Sequence, residues 1–152
     1  MGDEIIDRLF QEWHRLGGAV LIALADPSVE LRPVEEVVAE STAHCRQSGR
    51  LMWVVLDWLI HHIEEVDTRM LLECTRRMGD LTVLGVLCDA ARQRRPHANF
   101  DSLLRSCRPA AKLAIFFNRV ARSPLASRLA REHPIEPFLR WNYLCSELRY
   151  LD

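Results

Sequence analysis

Apolar residues recur along this chain at the three-to-four-residue interval of an α-helix, and sustained two-residue alternation is nearly absent. The first stripe is the clearest. Ile5, Ile6, Leu9, Phe10, Trp13 and Leu16 share one face, while Asp7, Arg8, Gln11, Glu12, His14 and Arg15 cover the rest. Gly17-Gly18 ends or kinks this helix, Ala19 to Ala25 is expected to resume as a short apolar helix, and Asp26-Pro27-Ser28 reads as a turn.

Start and stop signals divide the remainder. Pro33 opens a second helix running to about Gln47, with Glu35 and Glu36 placed against its N-terminal dipole and Ser48-Gly49 after it. A third, Arg50 to Ile63, is apolar around most of its circumference, which predicts a central helix with neighbours on several sides. Asp67 and Asp80 can cap a fourth and a fifth, ending near Met78-Gly79 and Arg95-Pro96. A short sixth helix is expected at Asp101 to Cys107, a seventh from Pro109 to about Arg122, and an eighth started by Ser123-Pro124. Beyond Pro134 and Pro137 a last helix to about Arg149 would place Phe138, Trp141, Leu144, Cys145 and Leu148 on one face, docked on the body.

The pattern predicts one all-α domain over residues 1–152, with about eight or nine short helices and short links. Two architectures fit: an irregular multi-helix bundle, or stacked helical hairpins of the HEAT or armadillo type. The rhythm from Pro33 to Arg95 favours hairpin pairs, although no motif recurs at a fixed period.

Composition adds little, because 49% apolar and 27% charged residues are ordinary for a globular chain. The start is acidic, unlike a secretory signal, and apolar runs such as Leu51 to Leu56, broken by Asp57, are too short to span a bilayer. No membrane segment is expected. Cys45, Cys74, Cys88, Cys107 and Cys145 are odd in number and form no Cys-x-x-Cys, so they read as reduced core thiols of a cytoplasmic protein.

Charge distribution changes the picture more. Residues 1–75 hold fourteen acids and six bases, whereas residues 76–152 hold fourteen bases and seven acids. The extreme is a window with Arg92, Arg94, Arg95, Arg105, Arg108, Lys112, Arg119, Arg122, Arg128 and Arg131 against one acid, Asp101. Such a segment can receive an acidic protein surface or track nucleic-acid phosphates. It can equally face the chain's own acidic half or that of a second copy. The high background counts here: nineteen arginines stand beside one lysine, as a GC-rich coding bias would produce. Phe116 and Phe117 are expected on the apolar face of the seventh helix with Leu113 and Val120, and so are not free to stack on bases.

Candidate chemistry is weak. On the third helix Arg50, Asp57, His61 and Glu64 fall within one wedge, and Asp57 and His61 are i, i+4 neighbours. A carboxylate could orient His61 as a base, or the three could begin a metal site needing a further ligand. A solvated face held by ordinary ion pairs explains the same spacing. The Arg-x4–6-His spacing of HEPN-type ribonucleases occurs at Arg92…His97, Arg128…His133 and Arg8…His14, but Gln93, Leu129 and Leu9 follow the arginines where that family has Asn, Asp or His. Chance alone gives about two such hits in a chain this rich in arginine, so no resemblance is drawn. No Gly-rich phosphate loop, Gly-x-Ser-x-Gly or His-Glu-x-x-His is present.

The expectation is therefore a non-catalytic bacterial interaction module without a cofactor or metal. It would use the basic segment 92–131 on a protein partner or a second copy. Nucleic-acid binding through the same segment is the alternative, followed by an HEPN-like ribonuclease.

Overall fold

In a computed structural model, which describes residues 2–20, 26 and 28–145, nine α-helices and two short strands are present. Helix α1 covers Gly2–Arg15, α2 Val34–Thr42, α3 Gly49–His62, α4 Thr68–Met78, α5 Leu81–Arg94 and α6 Ala98–Leu104. A 3₁₀ turn at Ile63–Glu65 links α3 to α4. Strand β1 (Ala114–Ile115), α7 (Asn118–Ala121), α8 (Pro124–Glu132), α9 (Glu136–Leu139) and β2 (Tyr143–Leu144) follow. No helix among the described residues is long and apolar enough to cross a membrane.

Side-chain caps start α3, α4 and α5. Ser48 Oγ accepts from Leu51 N at 3.2 Å, and Asp67 Oδ1 from Met70 N at 3.1 Å. Asp80 Oδ1 takes both Thr82 N and Val83 N, at 2.9 and 3.1 Å. Each satisfies amides that the helix cannot, an effect of about 1 kcal/mol per cap.

Helices α2 to α5 pair by alternate position. Helix α2 packs chiefly on α4 and α3 on α5, so the α2–α3 and α4–α5 hairpins stack side by side. The whole is an all-α multi-helix fold. Helix α1 leans on α2 and α3, and α6 on α5. Helix α3 is central as expected, with Leu51, Met52, Val54, Val55, Leu56, Trp58 and Leu59 buried. Helix α5 is equally central, buried without a break from Val83 to Ala91. The hairpins touch closely at Gly79, where a Cβ would collide with the Ala39 carbonyl and Thr42 Oγ1. The same Thr42 oxygen accepts from Asp80 N at 2.8 Å. A buried carboxylate, Glu12, binds the Arg32 fork at 2.7 and 2.8 Å, and Arg32 and Arg8 both reach Glu40. This network ties α1 and the segment before α2 to α2 itself.

Several expected boundaries differ. Helix α2 stops at Thr42, and residues 43–47 form turns. Helix α6 begins at Ala98, because His97 Nδ1 accepts from Asn99 N and caps it earlier than Asp101 would. Of the expected helix at 19–25, Ala19 and Val20 are not helical, and 21–25 lie outside the described residues.

The larger corrections are C-terminal. The expected helix from Pro109 to Arg122 does not form. Residues 105–113 are irregular, Ala114–Ile115 is extended, and only Asn118–Ala121 is helical. The cause is tertiary. Arg46 donates to the Phe116 and Ile115 carbonyls at 2.9 and 3.0 Å, taking acceptors that a helix would use internally. Phe116 packs edge-on against Phe117, Phe138 and Tyr143, with centroids 4.9, 4.9 and 5.1 Å away, a geometry that suits a buried aromatic run. Leu113, expected with them on an apolar face, is instead 56% exposed. The expected last helix likewise ends at Leu139. Asn142 adopts a left-handed φ of 61°, a conformation that terminates helices. Residues 143–144 then pair in parallel with 114–115. Phe138, Trp141, Leu144 and Cys145 are nevertheless buried, so the segment docks as expected without being a helix; Leu148 lies outside the described residues.

That docking has one anchor. Asp89, buried in α5, accepts from Arg140 Nε and NH2 at 3.0 and 2.9 Å and from Trp141 Nε1 at 2.9 Å. The Trp141 ring lies on Gly85 so closely that a Cβ there would overlap it. Burial alone would raise the Asp89 carboxyl, but the bonds from Arg140 and Trp141 hold it below its ordinary value.

Candidate interaction surface

The ten cations of the 92–131 window divide into two sets. Arg92 meets Asp101 at 3.0 Å and Asp89 at 3.4 Å, Arg95 meets Glu64 at 2.9 Å, and Arg94 is also engaged. These three belong to the helical body. Arg105, Arg108, Lys112, Arg119, Arg122, Arg128 and Arg131 are exposed, and their side chains form no ion pair among the described residues. No acid lies between positions 102 and 131. The acidic half meanwhile satisfies its own arginines, Arg8 and Arg32, internally. Contacts such as Arg77–Glu36 at 3.7 Å cross between the halves, but none draws the seven cations inward.

Apolar side chains interrupt this basic stretch. Leu113, Leu125 and Leu129 are 56%, 68% and 43% exposed. Leu125 and Leu129 stand one turn apart on α8, whose opposite face buries Ser127 and Ala130. Ser123 Oγ and Pro124 start this helix, as the sequence predicts, and Ser127 Oγ donates to the Val120 carbonyl to seat it on α7. Arg128 and Arg131 flank the exposed leucines on α8, with Arg122 just before it. No aromatic ring is exposed between positions 105 and 131.

A second basic feature joins parts far apart in sequence. A cleft of about 270 Å³ is lined by Arg46, Arg50 and Arg119, together with Gln47, Phe117 and the Ser48-Gly49 start of α3. Arg46 is fixed by its two carbonyl bonds and lies 4.9 Å over the Tyr143 ring, while Arg50 lies 4.9 Å over Phe10. Asn118 N donates to the Arg46 carbonyl at 2.9 Å and so places Arg119 beside the cleft. A window along the chain could not find this grouping, because Arg46 and Arg50 belong to the acidic half.

The polar wedge of α3 does not converge. His61 is 62% exposed, with Nδ1 2.8 Å from the Asp57 carbonyl and 3.5 Å from its carboxylate. Glu64 lies beyond the helix end and pairs with Arg95; its own backbone amide, then Arg95, holds its carboxyl below the ordinary value. Arg50 turns to the cleft. Among the described residues, no three His, Cys, Asp or Glu side chains gather to hold a metal ion. All five cysteines are buried, although Cys45, Cys107 and Cys145 sit outside helices. Burial raises the Cys45 and Cys88 thiols, and Cys107 is pushed up to about 11.

No protein-family model, curated protein or solved structure matches this chain.

Proposed function

We propose that the chain is a non-catalytic helical interaction module that receives an acidic protein surface through residues 105–131. The observation behind this reading is the outward set of seven cations, unpaired within the described structure and interleaved with exposed leucines. Charge of one sign steers encounter and sets register, while apolar side chains removed from water supply affinity. Exposed leucines without exposed aromatics suit a protein partner better than nucleic-acid bases, which stack on rings.

Two paired variants test the reading by affinity capture followed by titration of the purified partner. Arg122→Glu with Arg128→Glu removes the charge, and Leu125→Ser with Leu129→Ser removes the apolar stripe. The expected result is a captured acidic protein whose affinity falls at least about tenfold in both, with helicity unchanged. Capture of nuclease-sensitive material that survives the leucine change would favour nucleic acid instead. A salt-sensitive dimer in sedimentation, abolished by the charge reversal, would identify the partner as a second copy. Binding unaltered in both variants would overturn the proposal.

A further inference from the structure

The cleft between the α2–α3 turn and α7 shares only Arg119 with the outward cations. Three arginines line it, and no Asp or Glu does. Like charges held around one concavity repel each other and leave a positive potential that only an anion relieves. Neither Arg46, Arg50 nor Arg119 has an acidic partner among the described residues. Arg46 spends two N–H groups on the Phe116 and Ile115 carbonyls, which immobilises its plane and leaves other donors of the fork available.

We propose that this cleft binds a phosphate group, either free phosphate or the phosphate of a small monoester, with Arg46, Arg50 and Arg119 as its ligands. Planar guanidinium forks match tetrahedral oxyanions, and a pre-fixed fork loses little freedom on binding. The positive end of α3 adds to the field, and Gly49 presents no side chain to obstruct approach. A volume of about 270 Å³ lies just under the range of about 300–1,000 Å³ typical of sites for larger ligands, which suits a compact phosphate compound. Phe117 gives one apolar wall, on which the carbon part of an ester can lie.

Calorimetric titration of the full chain at low ionic strength, with inorganic phosphate and separately with glycerol phosphate, tests the assignment. Arg50→Gln and Arg119→Gln are the informative variants, since both side chains lie at the surface and neither bonds the backbone. Each should weaken phosphate binding at least about tenfold, the loss of one charge-assisted contact. The helical circular dichroism without phosphate should stay unchanged. Arg122→Gln, outside the cleft, should bind as the wild type does. Tighter binding of the ester would place its carbon part on Phe117, and equal binding would assign the site to free phosphate. Absence of heat and of any phosphate-induced rise in Tm in the wild type at about 10 mM would overturn the proposal. So would wild-type affinity in both arginine variants. The outward-face variants do not touch the cleft, so failure of one proposal leaves the other standing.

Discussion

Residues 34–104 and residues 105–145 solve the same problem of burying apolar surface in opposite ways. In the first region most helix starts are set locally: Ser48, Asp67, Asp80 and His97 cap α3, α4, α5 and α6. In the second the elements are two to nine residues long, and links to distant residues decide their shape. Arg46 reaches across 70 residues to Phe116, and Asp89 across 51 and 52 to Arg140 and Trp141. Local and tertiary preferences agree in the hairpins and conflict in the tail. The tail is therefore the region whose structure depends on single contacts. It also carries the outward cations and the Arg119 side of the cleft.

Removing the anchor should separate the two regions most. Asp89→Ala deprives Arg140 of its fork and leaves Trp141 Nε1 buried without an acceptor. The expected cost is about 3 kcal/mol, typical of breaking a buried charge-assisted group. Trypsin should then cut between residues 105 and 145 first, while far-ultraviolet circular dichroism keeps the signal of the hairpins. A single cooperative loss of both would mean that the regions are one folding unit. Gly85→Ala attacks the same dock from its apolar side, by pushing a methyl into the Trp141 ring, at about 2 kcal/mol. Near-ultraviolet circular dichroism of the tryptophans should report its displacement.

Acid should weaken the dock. The folded Asp89 carboxyl lies below its ordinary value, so its stabilisation is complete above about pH 4, where an unfolded Asp has ionised. It is lost as the pH falls through the lower folded value. Protease sensitivity of the tail should therefore rise below about pH 4 in the wild type, with a flatter dependence in Asp89→Asn. An identical acid profile in the two would remove Asp89 as the titrating group.

The contrast also sets what the sequence reveals. Asp67, Asp80 and Ser123-Pro124 are legible because a cap and its amides lie within three residues. The helix expected at Pro109–Arg122 is periodic enough to read as one, yet its carbonyls belong to Arg46, which no local window pairs with Phe116. Asn142 carries a local signal, since Asn tolerates the left-handed region, but the apolar spacing of Trp141, Leu144 and Cys145 outweighs it in a periodic reading. The outward cations are foreshadowed by the lack of any acid from 102 to 131. The cleft is not, because its arginines lie some 70 positions apart and only the fold joins them.

The smallest expected effect tests whether local signals carry equal weight in both regions. Asp80 accepts two first-turn amides at 2.9 and 3.1 Å, at the start of a fourteen-residue helix buried through its middle. Ser123 accepts one, at 3.3 Å, for a nine-residue helix that exposes Leu125 and Leu129. Asp80→Ala should lower stability by about 1–2 kcal/mol, and Ser123→Ala by about 0.5 kcal/mol. Chemical denaturation followed at 222 nm measures both. Unfolding of α5 exposes the core that every other helix of the body shares, whereas fraying of α8 exposes little beyond its contact with α7. Equal losses would show that α8 is as deeply committed to the fold as α5, and that the tail depends on its own helix starts as much as on Arg46 and Asp89.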